Sequence, residues 1–307
     1  RVAGISSFIM SRGGAASQPH SAAAVLFLLS FVSLPAGIRS LGIPSGATRA
    51  ASRSLKLNMA VQTQPREKTW SNPTGQTLRP LHDRPGNRIW LAERPFVWNT
   101  IDVGGRCAIV QLPSGGLWVH SPVALDDDLL AELRELGPVK YVVSPNYEHV
   151  KYAAPWIEAF PDAVSYVCPD GKAKFPGIPF DEEIPANPQQ AQALFEGAFE
   201  VSFLDFEVNP FTGKPFFNEC IFCHKETKSL IVTDFWWNWP GVDDYPGLAT
   251  TVRLWRFGMD QVFLPFYKAF MVKDAPRLRQ RMQQILSWDF NTIVPCHGFI
   301  IDKDVKQ

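Results

Sequence analysis

The chain has 307 residues, 30 lysines and arginines against 30 aspartates and glutamates, and enough apolar residues for one large core or two small ones. With that balance, and no basic stretch interleaved with aromatics, nucleic acid is not an expected partner. Cys107, Cys168, Cys220, Cys223 and Cys296 are odd in number and irregular in spacing, which argues against a disulfide framework and for a reducing compartment.

Charge is unevenly placed. No Asp or Glu precedes Glu67, so the remainder is net acidic. Met10 reads as a start, and Arg12 precedes the apolar run AAAVLFLLSFVSL (22–34). That run has the length of a signal-peptide core and is short for a membrane span. The acid-free stretch after it is rich in Arg and Ser, which is transit-peptide composition. The pair resembles the bipartite leader of algae with complex plastids and predicts a chloroplast location for a chain without a stable transmembrane anchor. The alternative is the secretory pathway, with an ordinary signal and a disordered linker. Residues 1–60 are therefore expected to be a targeting leader, 61–78 an extended linker and 79–307 the folded domain.

Within that domain, NRIWLAERPFVW (87–98) and RCAIVQLPSGGLWVHSP (106–122) read as strands, the latter a hairpin turning at 113–116. Asp126, Asp127 and Asp128 open a helix carrying Leu129, Leu130, Leu133 and Leu136 on one face, and Gly137-Pro138 stops it. Strand KYVVS, a helix near 151–160 and strand AVSYVCP follow. The proline-containing stretch 170–188 reads as loop, and 189–196 as a short helix. Strand FEVSFLDF leads to a second hairpin, NECIFCH and SLIVTD around 225–228. Residues 236–248 form an irregular aromatic loop, 275–288 a final helix, and NTIVP a last strand. This order predicts an α/β fold, a four-layer αββα sandwich over 79–302.

Three strands empty into polar turns: VVSPNYEH (142–149), SLIVTD (229–234) and TIVPCHG (292–298). Strand ends at one sheet edge are where sites are built. Each residue also has a plain structural reading. Glu148 and His149 suit a helix start, Asp234 a turn, and His120, in WVHSPV, a buried structural position. Cys220-Ile221-Phe222-Cys223-His224 matches a short haem-attachment pattern, but cysteines three apart on a strand face opposite sides, so neither haem nor a local zinc clamp is expected. No nucleotide-binding glycine pattern is present. The WWNWPG loop reads equally as a substrate wall or membrane-touching tip and as a core lid.

The order and setting of the three strand ends resemble the metallo-β-lactamase fold superfamily and, within it, the DUF4336 family in its plant and algal form. The superfamily motif His-x-His-x-Asp-His aligns with Ser144-Pro145-Asn146-Tyr147-Glu148-His149. The resemblance implies that the three histidines of a first metal site are missing, the last of them near Pro215. Glu148, His149, Asp234 and His297 keep metal-competent groups at the second site. It implies one divalent ion (Zn, Fe or Mn), Glu148 and Asp234 as catalytic residues as well as ligands, and Asn146 and His120 at the border. The implied function is a mononuclear metal-dependent hydrolase with an unidentified small-molecule substrate. The alternatives are a non-catalytic scaffold or binding protein, with a protein partner, and a redox protein like the superfamily's iron-binding members.

Overall fold

Two sheets set the frame in the computed structural model, which describes residues 66–302 and Val305, apart from Arg84 and Asn99. The larger sheet has seven strands in the order β1 (Arg79–Pro80), β2 (Ile89–Arg94), β5 (Gly105–Gln111), β6 (Leu117–His120), β7 (Val139–Ser144), β8 (Val164–Val167) and β9 (Glu182–Glu183). It is antiparallel from β1 to β6 and parallel from β6 to β9. The smaller sheet has the order β10 (Phe199–Phe203), β11 (Cys220–His224), β12 (Ser229–Val232) and β13 (Thr292–Pro295), and only β12 and β13 are parallel. Strands β3 (Val97–Trp98) and β4 (Ile101–Asp102) make a separate ribbon.

Alternation along the strands builds two apolar layers. Leu91, Ala108, Val110, Trp118, Val143 and Val167 of the large sheet meet Phe199, Val201, Phe222, Ile231 and Val294 of the small one. On the other face of the large sheet, Cys107, Ile109, Val119 and Val142 pack against Leu129 and Leu133 of helix α1 (Asp127–Leu136) and Trp156 of α2 (Ala153–Ala159). The Asp126 side chain caps α1 by accepting from the Leu129 amide. Helices α3 (Gly171–Lys174) and α4 (Pro188–Gln192) are short. Helix α7 (Ala275–Ser287) covers the outer face of the small sheet, where Arg281 pairs with Asp205 at 2.9 Å and Ser202 donates to Gln284. The layers are helix, sheet, sheet, helix, as the element order predicts.

Three stretches differ from the sequence reading. Residues 170–188 are not all loop, since α3 and β9 lie there and β9 extends the large sheet in parallel. Residues 250–271, unassigned in sequence, are helical: α5 (Thr250–Gly258), a π segment (Met259–Phe263), α6 (Leu264–Phe266) and a second π segment (Tyr267–Met271). Their apolar positions sit on a polar background, and the shift to π geometry breaks the 3.6-residue period that would mark them. The described part of the expected linker packs on the domain: Trp70 is buried, Arg66 pairs with Asp126 at 2.6 Å, and Ser71 donates to Asp102. The leader expectation for 1–60 lies outside the described residues. No described helix is long and apolar enough to cross a membrane.

Candidate metal centre

Parallel pairing places the C-terminal ends of β6 and β7 together, and likewise those of β12 and β13. The two edges are then tied to each other. Arg106, at the start of β5, donates to the carbonyls of Pro295 and Gly298 and is held by Glu93 at 2.7 Å. Asn146, just after β7, donates through Nδ2 to Thr233 Oγ1 at 2.9 Å and to Asp234 Oδ2 at 2.7 Å. Residues far apart in sequence thus share one sheet edge.

His149, Asp234 and His297 meet there, each offering a ligand atom within 4.8 Å of the other two. His149 Nε2 lies 3.1 Å from Asp234 Oδ2, and His297 Nε2 lies 3.4 Å from Oδ1. The far side of each ring is also occupied. His297 Nδ1 donates to the Gly104 carbonyl at 2.7 Å, and His149 Nδ1 shares a 2.5 Å hydrogen bond with Ser121 Oγ. A ring whose Nδ1 holds the proton presents Nε2 as a lone pair, so partners of this kind orient imidazole ligands. Gly298 is required beside His297: its φ is +91°, and a Cβ there would stand 2.0 Å from the Asn238 carbonyl oxygen.

Electrostatics follow from the same contacts. Burial works against the Asp234 carboxylate, but His149 and His297 outweigh it and hold the group well below the usual carboxylate range. Burial likewise opposes charge on His297, yet its hydrogen bond and attraction to Asp234, with the carbonyls of Gly104 and Val103, raise it overall. Without an ion, the carboxylate and the imidazoles satisfy one another. Two imidazoles and one carboxylate, mutually in reach and braced from behind, are a fitting donor set for a divalent Zn, Fe or Mn ion.

Glu148 does not join this cluster. Asn146 Oδ1 accepts from the backbone amides of both Glu148 and His149, and the tight turn sends adjacent side chains apart. Glu148 is exposed. The surrounding protein and then the charge of Asp234 push its carboxyl up, an effect that its contact with solvent reduces. His120 is not at the rim either. It shares its strand face with Trp118, and its fully buried ring stacks on that indole at 5.3 Å and meets Phe222 edge-on. Burial and then the charge of nearby His149 lower its pKa, so it stays neutral. Asn146, expected at the border of the site, bridges the two sheets through its bonds to Thr233 and Asp234. His224 bonds Thr227 Oγ1 at the opposite end of β11, away from the cluster. Cys220 belongs to the core between the sheets and Cys223 does not, as their alternation requires. The aromatic loop closes over the site: Trp239 stacks on His297 at 5.9 Å, and its indole donates to the Val103 carbonyl.

The sequence reading did not single out Glu219 and Glu207. Glu219 is fully buried and accepts from the amides of Thr233, Asp234 and Phe235 at 2.7–2.9 Å, which fixes the backbone that bears Asp234. Burial and then the Asp234 charge push its carboxyl up to about 8, against the pull of those amides. Glu207 accepts from the amides of Phe217 and Asn218. The only signal for either was a lone acid near an apolar strand.

The family described as Domain of unknown function (DUF4336) matches residues 86–242, just over half of the chain. No curated protein matches. Among solved structures, a DIM-1 metallo-beta-lactamase is similar at 15% identity, over 74% of this chain and 92% of that one, with a TM-score of 0.48. The FIM-1 metallo-beta-lactamase from Pseudomonas aeruginosa in its mono-zinc form is 13% identical over 75% of this chain and 90% of that one, TM-score 0.43. The flavodiiron protein from Giardia intestinalis is 12% identical over 74% of this chain and 56% of that one, TM-score 0.49.

Proposed function

The chain belongs to the DUF4336 family, and on the convergence of its strand-end residues we propose that it is a mononuclear metal-dependent hydrolase of small molecules. The observation that supports this reading is the braced trio of His149, Asp234 and His297, whose ligand atoms face one another while the Nδ1 atoms are engaged elsewhere. A divalent ion held by these three residues would acidify a water and polarise a carbonyl or phosphoryl oxygen. Ser144 and Asn146 stand where a first ion would need histidines, and Asn146 instead spends its amide on Asp234 and Thr233. One ion therefore fits and two do not. Asp234 supplies the anionic ligand, and Asn146 and Glu219 hold it in place. Glu148, exposed and outside the ligand trio but close enough to Asp234 to feel its charge, is proposed as the group that takes the proton from the attacking water.

The test is hydrolysis of an ester, lactone, phosphodiester and β-lactam panel by chelated and metal-reloaded protein. Turnover restored by metal, and lowered about a hundredfold or more in Glu148→Gln with metal content unchanged, is expected. No turnover by a stoichiometrically loaded protein refutes the hydrolase. A metal-free protein instead favours the scaffold reading, which the direct pairing of Asp234 with both imidazoles supports. We further propose delivery to a plastid, because residues 1–66 lack acids. A cytosolic signal from a fluorescent fusion to the leader refutes it.

A further inference from the structure

Beside the cluster lies a narrow pocket, open to solvent, that reaches Asp234. Phe217, Trp237, Phe263 and Tyr267 form its walls, and Glu207, Glu219 and Asp234 its acidic side. The rings touch one another: Phe263 lies 6.1 Å from both Phe217 and Tyr267 and 6.3 Å from Trp237. No residue lining the pocket is basic. The helical stretch that carries Phe263 and Tyr267 passes into π geometry at both, an irregularity that recurs at ligand sites.

Two of the three carboxylates are already engaged, Asp234 with the histidines and Asn146, and Glu219 with three backbone amides. Glu207 differs. It is 5% exposed, its Oε1 accepts two amides at 2.7 Å, and its Oε2 has no partner in hydrogen-bonding geometry, although the Tyr267 hydroxyl is near enough to favour the carboxylate. A buried carboxylate oxygen without a partner is costly, and a bound cation removes that cost. The aromatic rings that line the same pocket attract a cation independently. A single free oxygen suits the compact charge of an ammonium better than a guanidinium, which pairs bidentately.

We propose that this pocket binds the ammonium head of a small alkylamine. Taken with the hydrolase reading, on which this last step rests, the substrate class is an ester bearing a free alkylammonium group, its head against Glu207 and its ester at His149, Asp234 and His297. Amine binding itself needs no metal, so the two proposals fail separately.

The experiment is calorimetric titration of the full chain, chelated and metal-loaded, with n-butylammonium, 1-butanol, butyrate, n-butylguanidinium and potassium ion. Butylammonium is expected to bind both forms, with every other probe weaker by about tenfold or more. Glu207→Gln, which keeps an oxygen for the two amides, is expected to weaken butylammonium by about tenfold or more with the circular dichroism unchanged. Phe263→Leu, which removes one wall without touching a carboxylate, is expected to weaken it as well and serves if the first variant does not fold. Absence of butylammonium binding, equal binding of butanol or potassium, or unchanged affinity in the folded variants overturns the proposal. Metal content measured on the same samples reports on the hydrolase reading alone.

Discussion

Glu219→Gln separates two opposed forces at the centre of the site. If repulsion from Asp234 and burial dominate, removing the charge stabilises the fold. If acceptance of amide protons dominates, the variant loses stability. Glu219 Oε1 accepts from Thr233, and Oε2 accepts from Asp234 and Phe235, with Asn146 Nδ2 farther off at 3.4 Å. Glutamine has one accepting oxygen. In its better orientation that oxygen keeps the Asp234 and Phe235 amides, and its NH2 then faces the Thr233 amide, donor against donor. One buried amide loses its partner, at about 1–3 kcal/mol, and two bonds lose their ionic character, at about 1 kcal/mol in all. The expected loss is about 2–4 kcal/mol at pH 9, above the value of about 8 to which the carboxyl is pushed and so with Glu219 ionised, read as a lower urea midpoint at unchanged slope. A variant as stable as the wild type at pH 9, or more so, would mean that the three amides do not hold Glu219 as a carboxylate and that burial and repulsion prevail.

Gly298→Ala forces a Cβ into the Asn238 carbonyl at a φ of +91°, so we expect a loss of about 2 kcal/mol or more in thermal or urea unfolding, with weaker metal binding because His297 precedes it. At Glu93, burial opposes ionisation but Arg106 and Arg79 outweigh it and lower the carboxyl pKa. A lowered folded pKa gives stability that is present above the unfolded value, about 4.3, and lost as pH falls through the folded one. The stability gap between wild type and Glu93→Gln should therefore be full at pH 7 and shrink below about pH 4, and a gap independent of pH would contradict the ion-pair account.

Much of the layering was legible because period-2 alternation and caps are local. Asp126 with Leu129 and Leu133 marked α1, and the turn at 113–116 marked a hairpin. His149, Asp234 and His297 were legible as strand-end polar residues. What was not legible depends on parity or long-range closure. His120 points into the core because it shares a face with Trp118, which a count along WVHSP shows only once the inward face is known. The direction of Glu148 depends on Asn146 capping two successive amides. The role of Glu219 depends on backbone amides fourteen to sixteen residues away, and no motif records that. The π segments of 250–271 hide an amphipathic helix from a 3.6-residue template.

We propose that His149, Asp234 and His297 together hold one divalent ion. The most direct test is elemental analysis of the purified chain beside His297→Ala and His224→Ala. Close to one equivalent of Zn, Fe or Mn is expected in the wild type and in His224→Ala, whose ring lies at the far end of β11, and a loss of most of it in His297→Ala. Full metal content in His297→Ala, or equal loss from His224→Ala, would contradict it.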